Sequence, residues 1–185
     1  MKTILLFLVI AVNAFGQNEK SGVYLTFNDY LNNKLSYENT SASEKHTIRL
    51  NGFLDESHIT VLHNGETIKL QKDSVYGFIA FGKPLVRFQN NKQFYLAEKG
   101  AVWIFYNEVS VPEGKRSRIE KRYYFSATGN GELVELTLAN LKQAFPLNQK
   151  FHDILDAQCN NKNISEYDSF YKMFKVNHLL KEGSK

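Results

Sequence analysis

Apolar and polar residues alternate along much of residues 17–137, as they do in strands that bury one face. The strongest local signal is Asn64-Gly65, the preferred pair for a two-residue type I′ turn, because both central residues of that turn need positive φ. The turn predicts a hairpin in which His63 faces Glu66. In that register the following apolar residues share one face: Ile59, Val61, Ile68 and Leu70.

A second hairpin is predicted around Gly82-Lys83, because glycine at the first central position favours a type II′ turn. Its predicted register places Gly77 opposite Phe88. An aromatic ring can cover the bare backbone of a glycine on the neighbouring strand. We therefore interpret Gly77 as a structural position and not as part of a ligand-binding loop.

Turn signals recur about every ten residues after this hairpin, as in a sheet with short local connections. Further strands are predicted at residues 93–97, 101–109, 121–128 and 132–137. Near the amino-terminal end of the sheet, residues 22–27 form an opening strand, and Thr26 with Asp29 matches the capping box of a short helix. The predicted architecture is an antiparallel β meander, as a curled or barrel-like sheet or packed on a helix.

After residue 137 the apolar spacing changes from two to about 3.6, the period of an α-helix. One stripe ends at Pro146, which blocks helix continuation, and Ser165 with Asp168 resembles the cap of the last helix. The stripes are Leu138, Leu141 and Phe145; then Phe151, Ile154 and Leu155; then Phe170, Met173, Phe174, Asn177 and Leu180. We predict an α+β fold in which residues 138–185 form two to three amphipathic helices packed on the β-rich domain. Asn177 either specifies helix packing through a hydrogen bond or marks a frayed end.

The first sixteen residues have the layout of a cleaved secretory signal. Lys2 precedes a ten-residue apolar run, residues 3–12, and the small residues Ala14 and Gly16 suit cleavage before Gln17. The run is too short for a stable membrane anchor, which needs about twenty apolar residues. We therefore expect an exported protein that is periplasmic, on the outer surface or secreted, with no transmembrane segment in the mature chain.

Cys159 is the only cysteine, so an internal disulfide is impossible and stability must come from packing. Removing 16 of the 185 residues leaves 169, enough for one domain that buries roughly 70% of its unfolded surface. The 14 Phe and 10 Tyr supply large side chains for that core. We expect Cys159 to pack as a small apolar side chain, with a catalytic or intermolecular role as the alternative.

The formal net charge of +4 says little about partners, but one segment concentrates positive charge. The basic residues of that segment are Lys115, Arg116, Arg118, Lys121 and Arg122. They would suit anionic glycans or lipid headgroups, or they form the solvated tip of a hairpin, which is the commoner arrangement. Because an exported protein seldom meets nucleic acid, we predict no nucleic-acid partner.

The candidate catalytic residues form no recognisable motif. His58 and His63 differ by an odd number, so they point to opposite faces of one strand, and the five histidines lack the spacing of a zinc site. His63 is expected to pair with Glu66 on an exposed surface. The adjacent acids Asp55 and Glu56 are more typical of a loop than of a glycosidase pair. We predict no catalytic residue, metal or cofactor.

Aromatic residues are the remaining binding candidates, because exposed rings on a sheet stack on sugars or peptides. The candidate row is Tyr95, Tyr106 and Tyr124. Alternation puts Trp103 and Phe105 on the face opposite Tyr106. We expect the Trp103 face to be core, so that only the Tyr106 face could hold a binding row.

Four segments, residues 22–30, 73–78, 98–100 and 171–177, are similar to those of a group of short exported Gram-negative bacterial proteins of uncharacterised function. The resemblance spans most of the mature chain. It implies an envelope or extracellular setting and brings no activity, cofactor or catalytic residue with it.

Two functions stay open from the sequence. The first is a non-catalytic exported protein that binds an envelope or extracellular partner, either protein or glycan, through its sheet face or terminal helices. The second is a small envelope or extracellular hydrolase whose site is assembled only in three dimensions. Convergence of His58, Asp73 and Arg87 in a deep pocket would favour the second function. The sequence favours the first.

Overall fold

The computed structural model describes residues 20–40, 46–50, 56–160 and 162–184, so the predicted signal peptide and Asp55 lie outside the described residues. In chain order the elements are β1 (Ser21–Tyr24), α1 (Phe27–Leu31), β2 (Ser36–Asn39), β3 (His46–Arg49), β4 (His58–His63), β5 (Glu66–Gln71), a 3₁₀ turn (Lys72–Ser74), β6 (Gly77–Ile79), β7 (Val86–Gln89), β8 (Lys92–Lys99), β9 (Trp103–Glu113), β10 (Arg116–Ser126), β11 (Val134–Glu135), α2 (Leu138–Ala144), α3 (Gln149–Gln158), β12 (Tyr167–Asp168), β13 (Met173–Phe174) and α4 (Lys175–Gly183).

Eight strands form the main sheet in the order β11-β10-β9-β8-β7-β6-β1-β2, with antiparallel neighbours throughout. The strands β3-β4-β5 form a separate small sheet, and β12 pairs with β13. The predicted α+β class and antiparallel meander are confirmed. Among the described strands, no pairing joins the edges β11 and β2, so the main sheet is open and the barrel-like variant is wrong.

The hairpin at Asn64-Gly65 has the predicted register, with His63 opposite Glu66. Both turn residues have positive φ, 53° and 86°, as a type I′ turn requires. Ile59 and Val61 are fully buried against the main sheet. The turn therefore selects the face by which the small sheet docks.

The second hairpin differs from its predicted register by one residue, so Gly77 faces Arg87 and not Phe88. The N–H of Lys83 donates to the carbonyl of Ala80 at 3.0 Å. The intervening glycine, with φ 64°, is therefore third in the turn, as in type II and not type II′. A shift of one residue reverses the face on which each side chain lies.

The last predicted helix begins later than its apolar spacing indicated. Residues 167–174 form the β12–β13 hairpin, and α4 starts at Lys175. The carboxylate of Asp168 accepts hydrogen bonds from the N–H groups of Phe170 and Tyr171, at 2.8 and 3.0 Å, which closes a turn and not a helix. Lys172 has φ 54°, which a right-handed helix cannot include. Phe170 is consequently 84% exposed instead of facing the core.

The small sheet and the terminal helices cover the same face of the main sheet. Cross-strand partners share a face, and one such row runs through Val23, Phe78, Val86, Tyr95, Tyr106 and Tyr123. The small sheet packs at one end of this row, and α2, α3 and α4 pack beyond its other end around Ile104 and Phe125. No helix within the described residues is long and apolar enough to span a membrane.

Candidate functional site

Three tyrosines on adjacent strands form what we call the tyrosine row: Tyr95, Tyr106 and Tyr123. The rings of Tyr95 and Tyr106 are nearly parallel, with centroids 5.3 Å apart and 22° between their planes. The Tyr106 and Tyr123 centroids are 6.2 Å apart. All three side chains are partly buried, so each is supported by the protein and keeps some exposed surface.

The tyrosine row lies between the small sheet and the helices. Tyr95 packs against the small-sheet core and Tyr123 against the helical core, so that Tyr106 occupies the gap. Beyond Tyr123 the aromatic contacts continue through Phe174, at 5.5 Å, to Tyr167, at 5.7 Å. Phe174 is 7% exposed and Tyr167 is 52% exposed, so the buried Phe174 ring separates Tyr167 from the exposed part of the row.

A cavity of about 370 Å³ opens at the Tyr95 end of the row. The pairing of β8 with β9 begins only at Tyr95 and Tyr106, so residues 107–109 diverge from the start of β8. The lining residues are Lys92, Gln93, Tyr95, Asn107, Glu108 and Val109. An aromatic ring, two amides, a carboxylate and an ammonium group therefore meet in one cleft.

The hydroxyl groups of Tyr95 and Tyr106 stay protonated over the physiological range. Burial raises the pKa of Tyr95 and of Tyr106, and the nearby carboxylate of Glu108 raises both further. The Tyr95 hydroxyl donates to Oε1 of Gln93 at 3.3 Å. Lys121 places its Nζ 4.3 Å from the Tyr106 ring centroid, a cation–π contact.

Tyr124, the third residue of the predicted row, lies on the opposite face. It pairs with Phe105 and packs edge-on against Phe94, with centroids 4.9 Å apart. Tyr123 occupies the position beside Tyr106 instead. The missing signal was the two-residue turn of the β9–β10 hairpin, since the pairing across that turn determines which tyrosine faces Tyr106.

The predicted basic patch lies on the exposed outer part of the β9–β10 hairpin. Arg118 forms an ion pair with Glu120, and Arg116 is the cross-strand partner of Glu113. Lys115 lies in the turn between the strands. The arginines of this patch face away from the tyrosine row, and acidic neighbours offset part of their charge. This arrangement matches the solvated hairpin tip.

The residues proposed for a hydrolase do not converge. Arg87 is 7% exposed, lies between aromatic rings, and donates to the carbonyls of Gly129 and Gly131 at 3.0 and 3.3 Å. It shares a cavity of about 330 Å³ with Asp73. His58 lies elsewhere, near Glu56. Arg87 thus fixes the loop before β11.

The contacts of the remaining reactive side chains, Cys159 and His63, stabilise the fold and form no catalytic arrangement among the described residues. Cys159 caps the carboxyl end of α3, and burial raises the pKa of its thiol, which keeps it protonated. The His63 ring contacts His46 rather than Glu66, so the expected exposed pair is wrong. In the part of the chain that is described, no group of three or more His, Cys, Asp or Glu side chains could hold a metal ion.

Comparison of the chain with protein-family models, with curated proteins and with solved structures finds no match. The resemblance to short exported bacterial proteins therefore stays a prediction.

Proposed function

We propose that this chain is an exported, non-catalytic protein that binds a linear glycan of the cell envelope or its surroundings along the tyrosine row. The stacked pair Tyr95 and Tyr106 beside a polar cavity carries the proposal. Export rests on the sequence of residues 1–16.

The chemistry of the cleft suits a sugar. The apolar C–H face of a pyranose ring stacks on an aromatic ring, and its hydroxyls need both donors and acceptors. Gln93 can supply both, Glu108 accepts and Lys92 donates. A volume of about 370 Å³ lies at the lower end of the range for small-ligand sites.

The length of the aromatic surface favours a chain of sugars over a single residue. Three partly exposed rings on adjacent strands, with centroids 5.3 and 6.2 Å apart, lie across the sheet from Tyr95 to Tyr123. A peptide could also lie on such rings, but the cluster of amide and charged side chains at the Tyr95 end suits hydroxyl groups better.

The hydrolase alternative has less support. Glycoside hydrolysis ordinarily uses two carboxyl groups on opposite sides of the scissile bond. Among the described residues that line the cleft, Glu108 is the one carboxylate. Arg87, which the hydrolase hypothesis needed, is held by loop carbonyls on the other face of the main sheet.

Replacing Tyr106 with alanine is expected to weaken glycan binding about tenfold, because it removes the central ring of the row. Binding would be measured by calorimetry with isolated peptidoglycan fragments and with linear oligosaccharides of increasing length. Tyr106→Phe keeps the ring and should bind nearly as the unchanged protein does.

Tyr124→Phe is the matched control on the opposite face and should leave affinity unchanged. Free energies of unfolding for all variants separate a loss of binding from a loss of folding. Equal binding by Tyr106→Ala and the unchanged protein would contradict the proposal. So would cleavage of a bound glycan, or binding of a protein and no glycan.

A further inference from the structure

Two histidines meet where the small sheet docks on the main sheet. His46 and His63 are cross-strand partners of β3 and β4, on the face that carries the buried Ile59 and Val61. Their Nδ1 atoms are 3.2 Å apart, and the rings meet edge to face. His46 is 7% exposed, and its Nε2 lies 3.0 Å from Oγ of Ser21 in β1. This contact links the two sheets.

The hydrogen bonds around the pair can run in one consistent direction. The Ser21 hydroxyl donates to the carbonyl of Ile79 at 3.3 Å, so its oxygen accepts from Nε2–H of His46. Nδ1 of His46 is then an acceptor and receives the Nδ1–H of His63. Nε2 of His63 in turn accepts from the Asn64 side-chain amide at 3.1 Å. We call Asn64, His63, His46 and Ser21 the histidine relay.

The charged groups around the relay do not stabilise an additional proton by direct pairing. Glu66 in β5 is the cross-strand partner of His63, but its carboxylate forms no ion pair with that ring. From β2, Tyr37 places its ring 6.0 Å from His63, and Glu38 pairs with Lys20 at 2.7 Å. Within the described residues, no carboxylate lies at ion-pair distance from either imidazole.

We propose that the histidine relay is an acid-sensitive latch that holds the small sheet on the main sheet. The Nδ1 to Nδ1 contact has room for one proton. When His46 also carries a proton on Nδ1, that N–H group and the Nδ1–H of His63 face each other across 3.2 Å. Mild acid therefore weakens the docking of β3, β4 and β5.

The direction of the pH effect follows from His46. Burial, and then the neighbouring His63, hold the pKa of His46 below the ordinary histidine value of 6.5. At pH values between the folded-state pKa of His46 and 6.5, the undocked or unfolded state binds more protons than the folded state. Stability therefore rises with pH in this range. The contribution is complete above about pH 6.5 and is lost as the pH falls through the folded-state value.

Opening of the latch would expose a defined apolar surface. The face beneath the small sheet includes Val23, Phe78 and Val86, and Tyr95 packs against the same cluster. Loosening of the small sheet in acid would therefore also remove packing from Tyr95, at the end of the tyrosine row. The latch itself does not depend on glycan binding.

The test uses nitrogen chemical shifts and amide hydrogen exchange of the whole protein. At about pH 7.5 we expect neutral His46 with its proton on Nε2, and a proton on Nδ1 of His63 directed at Nδ1 of His46. From about pH 7.5 to about pH 5.5, the protection of β3–β5 amides should fall by up to about tenfold more than that of α4 amides, because pH 5.5 lies about one unit below the ordinary histidine pKa.

His58→Gln is the matched control, since His58 lies on the same strand as His63 but faces the other way. It should keep the pH-dependent difference, whereas His46→Gln should abolish it. If His46→Gln does not fold, His63→Gln should reduce the difference without abolishing it, because burial alone still lowers the pKa of His46. Equal loss of protection in both regions, an undiminished difference in either relay variant, or the opposite tautomers would overturn the proposal.

Discussion

Replacing Asn177 with alanine is expected to destabilise the protein by about 3 kcal/mol, because it leaves several buried polar groups without partners. The side chain is 3% exposed. Its Nδ2 donates to Glu98 at 2.5 Å and to the carbonyl of Val102 at 3.0 Å, and its Oδ1 accepts from the Val102 N–H at 2.9 Å. Urea denaturation would measure the loss, with the exposed α4 variant Lys181→Ala as the control.

Gly100 provides a sharper form of the same test. A Cβ at this position would lie 2.2 Å from Nδ2 of Asn177, so Gly100→Ala should displace the amide and also be destabilising. In an Asn177→Ala background the obstructing amide is gone, and Gly100→Ala should cost much less. The double-mutant cycle is therefore expected to be strongly non-additive. Additive losses would show that Asn177 does not anchor α4 through this turn.

Asn177 also shows the limit of a local sequence pattern, which can indicate that a residue is buried but not which distant residue it contacts. Apolar spacing placed Asn177 on the buried side of a helix, but its partner Val102 lies 75 residues earlier in the chain. No spacing rule connects positions so far apart. Sequence reasoning therefore left two interpretations of Asn177, and three-dimensional packing selects the hydrogen-bonded one.

Turn chemistry explains which strand registers could be predicted. Asn64-Gly65 meets the demand for two positive φ values, and its hairpin register was predicted completely. Asn90-Asn91 meets the same demand, with φ of 51° and 62°, and would have identified the β7–β8 turn. A single glycine is less decisive, since Gly82 suits either type II or type II′. The choice of type II′ instead of type II therefore accounts for the one-residue error in the predicted register of the second hairpin.

The candidate site depended on such registers more than on residue types. Tyr95 and Tyr106 were predicted to share a face and do so. The third member changed from Tyr124 to Tyr123 because adjacent tyrosines point to opposite faces, and only the pairing across the β9–β10 turn distinguishes them. The His46 contact with Ser21 joins two sheets, which alternation along a single strand cannot indicate.

Gly77→Ala is expected to cost about 3 kcal/mol or more, because the added methyl group meets backbone and not a flexible side chain. Its Cβ would lie 2.3 Å from the carbonyl oxygen of Val86 and 3.3 Å from Cδ1 of Leu85. Relief requires β6 and β7 to separate near the buried Arg87. We expect a large fall in the urea midpoint and faster hydrogen exchange in β6 and β7.

Gly82→Ala is the matched control in the same hairpin. Gly82 has φ 64°, but apart from its two chain neighbours no described residue has a heavy atom within 4 Å of the position that a methyl group would take. Alanine there adds backbone strain of about 1 kcal/mol and no clash. The predicted register, with Phe88 covering Gly77, would leave room for the larger residue and make the two variants similar. A Gly77→Ala protein no less stable than Gly82→Ala would therefore contradict the close contact between β6 and β7. A much larger loss for Gly77→Ala follows from the backbone of Val86 occupying the space that a side chain would need.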